Sequence, residues 1–111
     1  DPIEISKDIS NRLKFEENCD LIICLSHLGY KYDNLPDRIC DYNLAKKSNH
    51  IDLIIGGHTH TFMEKPIVLK NEKGNDVIIN QVGCFGLCLG QIDFFFDRNN
   101  KRSFKSNLVN I

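Results

Sequence analysis

Apolar residues recur at every fourth position near the start of the chain, at Ile5, Ile9 and Leu13, with Lys7, Arg12 and Lys14 falling between them. That spacing stacks three apolar side chains on one helix face and predicts that this face lies on a sheet. Asp1-Pro2-Ile3-Glu4 supplies the helix start, with Asp at the N-cap, Pro at the first helical position and Glu three residues after the cap. Asn18 marks the expected end. The pattern then changes: Leu21 to Leu25 is a continuous apolar run bounded by Asp20 and Ser26, as expected of a central parallel strand covered on both faces. Residues 28–37 are rich in Gly, Asp, Asn, Tyr and Pro and read as an exposed loop, after which Pro36-Asp37 offers the start of a second helix over about Arg38 to Lys47. A second buried strand is predicted from Asp52 to Ile55.

Beyond Thr61 the pattern breaks into extended pieces between turn residues. Pro66 to Lys70, Asp76 to Val82 and Gly90 to Asp97 read as a run of antiparallel strands, with turns at Asn71 to Asn75 and Asn99 to Arg102 and a last short strand at about Phe104 to Val109. Phe94-Phe95-Phe96 is expected to fill core on both faces of its strand. Parallel strands first and antiparallel strands after define an α/β (α+β) class. No linker, internal repeat or low-complexity tract interrupts the chain, so residues 1–111 read as one unit.

Composition narrows the function classes. At 111 residues and 41% hydrophobic, the chain has the size and make-up of one globular domain. A formal charge of −1 leaves no basic surplus to steer it to nucleic acid or anionic lipid. Its apolar runs are far shorter than the roughly 20 residues of a spanning helix, so no membrane span is expected. No basic segment followed by an apolar one opens the sequence, so no signal peptide is expected within it. Five cysteines, an odd set without paired Cys-x-x-Cys knuckles, argue against a disulfide framework or zinc ribbon and for free, mostly buried thiols.

The chemistry sits where the strands end. A right-handed strand–crossover–strand connection makes the two buried strands neighbours or near neighbours, with their carboxyl ends on one edge. His27 lies two residues past Leu25 and His58 three past Ile55, the edge where functional groups of open α/β sheets gather. In an extended stretch residues i and i+2 point the same way, so His60 can join His58 around one centre or two adjacent ones. Gly56-Gly57 allows positive φ and a close backbone approach. A lone histidine after a strand is commonly a satisfied polar residue, but two imidazoles two apart after a Gly-Gly turn have few structural reasons to coexist. His27, His58 and His60 are therefore candidate metal ligands. His50 falls at the opposite end of the sheet and reads as surface, and Cys84-Phe85-Gly86-Leu87-Cys88 as a packing turn.

Asp20-Leu21-Ile22-Ile23-Cys24-Leu25-Ser26-His27-Leu28-Gly29, followed by Asp52-Leu53-Ile54-Ile55-Gly56-Gly57-His58-Thr59-His60-Thr61, resembles the second half of a calcineurin-like metallophosphoesterase of the 5'-nucleotidase-like branch. The likeness continues through Ile79-Asn80-Gln81-Val82-Gly83 and Leu89-Gly90-Gln91-Ile92-Asp93-Phe94. The resemblance implies a four-layer α/β/β/α sandwich. It implies that His27 and His58 bind one divalent ion and His60 a second, the ions being zinc, manganese or iron. The implied reaction is hydrolysis of a small phosphate ester such as a nucleotide, in which two ions polarise the phosphoryl oxygens, activate water and stabilise the leaving oxygen.

The chain departs from the family in lacking an Asp-x-His, a Gly-Asp-x-x-Asp and a Gly-Asn-His-Asp/Glu segment, which supply the bridging carboxylate, further ligands and the catalytic histidine. Asn49-His50 lacks both the preceding Gly and a following acid. Three neutral imidazoles do not offset the repulsion between two cations, and no residue here is assigned a catalytic role. The expectation is the carboxyl-terminal part of one catalytic domain, inactive alone, prone to self-association through exposed sheet edges, and belonging to a parent for which a periplasmic or secreted location is compatible. Two other readings stay open: a non-enzymatic metal-binding or partner-binding module with relic histidines, and a mononuclear zinc hydrolase lacking an evident general base.

Overall fold

A computed structural model describes residues 1–99 and 101–111, so the turn expected at Asn99 to Arg102 lies partly outside the described residues. Helix α1 spans Pro2–Phe15, and the Asp1 side chain caps it by accepting from the Ile3 N–H at 2.8 Å. Glu4 in its first turn and Arg12 and Lys14 in its last complement the helix dipole. It ends at Glu16, earlier than expected, while Asn18 adopts a φ of 54°.

The buried side of α1 differs from the predicted one. Ile3 and Ser10 are buried, whereas Ile5 is 57% and Ile9 50% exposed. Ile3 anchors the helix in the core and Lys7 pairs with Glu72 at 3.3 Å, which turns the Ile5–Ile9–Leu13 stripe away from full contact. The stripe instead lines one wall of an apolar groove of about 290 Å³ opposite Ile22, Ile23 and Ile51.

A four-stranded sheet is built from β1 (Ile23–Leu25), β2 (Leu53–Ile55), β3 (Ile67–Lys70) and β4 (Asp76–Asn80), in the order β1-β2-β4-β3. The strands β1 and β2 are direct parallel neighbours, with Ile23 opposite Leu53 and Leu25 opposite Ile55. Strand β1 is an edge strand rather than the central, doubly covered one expected: with β2 on one side only among the described residues, Ile23 is 47% and Leu25 80% exposed. Strand β4 is antiparallel to β3 and also parallel to β2, so the first hairpin after Thr61 extends the parallel sheet. Helix α2 (Asp41–Lys47) starts later than predicted because Cys40 is extended and Arg38 N–H closes a turn on the Leu35 carbonyl.

Alternation along the strands assigns the two faces of this sheet. Ile54, Val77 and Ile79 face the helices, where Ile3, Leu44, Ala45, Ile51 and Met63 complete the core. The opposite face meets a second sheet, the antiparallel hairpin of β5 (Cys88–Phe96) and β6 (Arg102–Asn110), paired from Cys88 opposite Asn110 to Phe96 opposite Arg102. The fold is thus α/β, with helices, a mixed sheet and a second sheet in successive layers.

Phe94 packs toward Phe104 with ring centroids 6.3 Å apart, but Phe95 and Phe96 are each 48% exposed, so the aromatic run fills core on one face only. An Arg102–Asp52 ion pair ties the two sheets together, and Asp52 also accepts from the Ile22 N–H at 2.8 Å. Between the sheets lies an apolar space of about 510 Å³ lined by Ile23, Leu53, Ile55, Val82, Ile92 and Phe94. All five cysteines are free thiols, and only Cys40 is fully buried. No helix among the described residues is long and apolar enough to cross a membrane.

Candidate metal centre

The parallel ladder continues past the strand ends and fixes the loops that leave them. Ser26 N–H donates to the Ile55 carbonyl and Gly56 N–H to the Asn80 carbonyl, each at 2.9 Å. Leu28 N–H donates to Ser26 Oγ at 3.2 Å, which bends the chain and presents His27 at the carboxyl edge. The His27 and His58 rings meet edge to face with centroids 5.2 Å apart. Two histidines from adjacent strands therefore converge as the sequence predicts.

His60 is placed differently. The 58–60 segment is not extended: His58 has φ 77° and His60 φ 53°, both left-handed. The positive φ expected at Gly56-Gly57 falls on the histidines themselves. Such a conformation costs a non-glycine residue about 1–2 kcal/mol, so surrounding structure must hold it. The His60 ring packs against Phe85, centroids 5.9 Å apart, and among the described residues no group of three His, Cys, Asp or Glu side chains is assembled for a metal ion. His50 sits at the other end of the sheet, half-buried and edge-on to Phe15.

The glycines provide space for two neighbours. A Cβ on Gly57 would come within 3.1 Å of His27 Nδ1, and one on Gly56 would overlap Asp41 Oδ2. Asp41 is fully buried; Ser26 Oγ donates to its Oδ1, and its Oδ2 has no hydrogen-bond partner. Burial holds the Asp41 carboxyl above its usual range, against the Ser26 hydrogen bond and the positive charge available on His27, which both pull it down. The same burial, reinforced by Asp41, pushes the Cys24 thiol up.

Because the folded Asp41 carboxyl holds its proton more tightly than the unfolded one, the stability contributed by this group is present in acid and lost as pH rises through its folded pKa. Asp41→Asn is therefore expected to melt a few degrees above the wild type at neutral pH, with the gap closing in acid. A gap independent of pH in thermal melts would contradict this.

A second polar group organises the other loop. Gln81, 2% exposed, accepts from Thr61 N–H at 2.6 Å and Thr59 Oγ1 at 3.1 Å and donates from Nε2 to the Gly57 carbonyl at 3.0 Å. Thr59 Oγ1 also accepts from Tyr30 N–H at 3.0 Å, joining this loop to the His27 loop. Sequence reasoning did not single out Ser26, Asp41, Thr59 or Gln81 as site residues. An acid at a helix start has an ordinary explanation in the dipole, but the polar Gln81 straight after Val77-Ile78-Ile79-Asn80 was a usable signal.

Imidazole is a donor type that holds divalent ions, and the His27 and His58 rings are brought next to each other, packed edge to face. Among the described residues His27 and His58 come together without a third such ligand, and no two-ion centre is completed.

No protein-family model matches the chain. Over 109 residues it is 38% identical to the trifunctional nucleotide phosphoesterase protein YfkN of Bacillus subtilis (strain 168), covering 97% of this chain and 7% of that protein. It is 35% identical over 115 residues to an apyrase of Tabanus yao, covering 90% of this chain and 19% of the apyrase. The crystal structure of a 5'-nucleotidase precursor from Thermus thermophilus superposes on the whole chain with a TM-score of 0.82 at 27% identity, covering 23% of that structure. The chain thus spans less than a quarter of the length of each of these proteins.

Proposed function

In sequence and fold the chain is a 5'-nucleotidase-like metallophosphoesterase segment, and from that premise we propose that it forms the carboxyl-terminal part of a divalent-metal phosphoesterase domain acting on nucleotide-type phosphate esters. His27, His58 and His60 are its metal ligands, and the 111 residues alone do not turn over substrate. The observation that carries the reading is the meeting of His27 and His58 where two adjacent parallel strands end.

A divalent ion in such a site supplies Lewis acidity toward a phosphoryl oxygen and makes water a nucleophile near neutral pH. The chain's own contribution is positional. Ser26 and Asp41 hold the His27 loop, the Gln81 network holds the His58 loop, and the backbones stay close because Gly56 and Gly57 carry no side chain. Among the described residues β1 has a strand on one side only, with Leu25 80% and Ile23 47% exposed, which supports self-association through that edge.

Calorimetry with zinc on the purified chain tests the assignment. One weak site is expected, absent from the His58→Ala/His60→Ala double variant, with no hydrolysis of p-nitrophenyl phosphate and a mass above the monomer in light scattering. Unchanged zinc binding in the double variant would refute the ligands, turnover by the wild type would refute its inactivity, and a strictly monomeric chain would refute self-association.

A further inference from the structure

We infer that Gln81 is the positioning residue of the His58–His60 segment, holding both histidines in their left-handed conformation and so fixing where their rings stand; the metal consequence rests on the function proposed above. Two left-handed non-glycine residues two apart do not persist by local preference. Something outside the segment has to hold it. The Gln81 side chain bonds each of the three residues that flank and separate the histidines: it donates to the Gly57 carbonyl before His58, accepts from the Thr59 hydroxyl between them and accepts from the Thr61 N–H after His60. One planar amide thus grips the segment before, between and after its two strained residues.

The clamp is itself anchored. Gln81 directly follows β4, its carbonyl accepts from Met63 N–H at 3.0 Å, and Gly83 N–H donates to the Thr61 carbonyl at 2.8 Å. Thr59 Oγ1 carries the link onward, to Tyr30 N–H at 3.0 Å and to Thr61 Oγ1 at 2.9 Å. The network therefore registers the His58 loop against the loop that carries His27. The task needs an acceptor and a donor in one neutral buried group, which an amide provides. Glutamate lacks the donor when ionised, and a thioether of similar volume makes none of the three bonds. Groups that hydrogen-bond the rings of metal-binding histidines change metal affinity about 10–100-fold when removed, and because Gln81 acts on the rings only through the backbone, the low end of that range is expected of it.

The experiment compares the wild type with Gln81→Met, with Thr59→Val as the milder second variant and Val77→Ala as a core-destabilised control remote from the segment. Zinc affinity and the backbone NMR shifts of His58 and His60, which report the sign of φ, are both measured. Gln81→Met is expected to weaken zinc binding at least about tenfold and to move both histidines' shifts out of the positive-φ range, with a smaller change in the same direction for Thr59→Val. Val77→Ala is expected to lower the melting temperature and leave both readouts in place. Wild-type shifts and zinc affinity in folded Gln81→Met overturn the inference; should Gln81→Met not fold, the same result in Thr59→Val overturns it. A wild type that takes up no zinc sinks the metal assignment, while the shifts still decide whether Gln81 sets the conformation.

Discussion

Gly56→Ala is expected to reduce the free energy of unfolding by about 3 kcal/mol, at the upper end of what one added methyl group does to a packed interior. The new Cβ would overlap Asp41 Oδ2 and lie 3.2 Å from Gln81 Nε2. Neither neighbour can simply turn aside. Asp41 is fully buried, receives the Ser26 hydroxyl, and through its own N–H is tied to the Gly29 carbonyl at 2.8 Å at the start of α2. Gln81 is committed to Gly57, Thr59 and Thr61. Relieving the overlap means breaking one of these buried sets, and a buried polar group left without a partner costs about 1–3 kcal/mol by itself. Urea denaturation measures the change; a midpoint within error of wild type would show that the Asp41 side is free to move.

Ile54→Ala is expected to destabilise the chain by about 3–4 kcal/mol. Ile54 is 0% exposed in the middle strand of the parallel set, opposite Cys24 on one side and Ile79 on the other. It belongs to the core cluster that joins Ile3 of α1 to Leu44 and Ala45 of α2, so its removal leaves a cavity walled by rigid elements. With total stabilities of about 5–15 kcal/mol for domains, that is a large fraction, visible as a melting temperature lowered by more than 10 °C, roughly. Ile55, next in sequence but on the other sheet face, is 44% exposed, and Ile55→Ala should cost less than half as much. Equal losses at both positions in thermal or urea melts would contradict the assignment of the helix-facing side as the tightly packed one.

These two positions show how far local pattern reaches. The apolar runs Leu21 to Leu25 and Leu53 to Ile55 identify two strands, and two β strands joined by a helix have one favoured handedness, so the parallel pairing and the shared carboxyl edge follow. The first run is not buried on both faces, because β1 lies at the sheet edge. His27 and His58 were legible for that reason: each lies a fixed few residues past a strand end. His60 was not, because its placement depends on the sign of φ at His58 and His60 themselves, and nothing in their own sequence favours the left-handed value. The amide that holds them is Gln81, a remote residue in sequence.

Determined by sequence alone were the α/β class, the capped first helix, the strand positions and the edge on which the histidines gather, since each rests on a local period or on connection handedness. Tertiary structure decided which side of α1 is buried, that β4 adds to the parallel sheet, and that Asp41 bonds Ser26 and Gln81 bonds Gly57, next to His27 and His58 in the chain. The physical reason is common to all three: spacing reports which side chains share a face, whereas burial of that face, strand partnership and left-handed backbone are set by contacts between residues far apart in the chain.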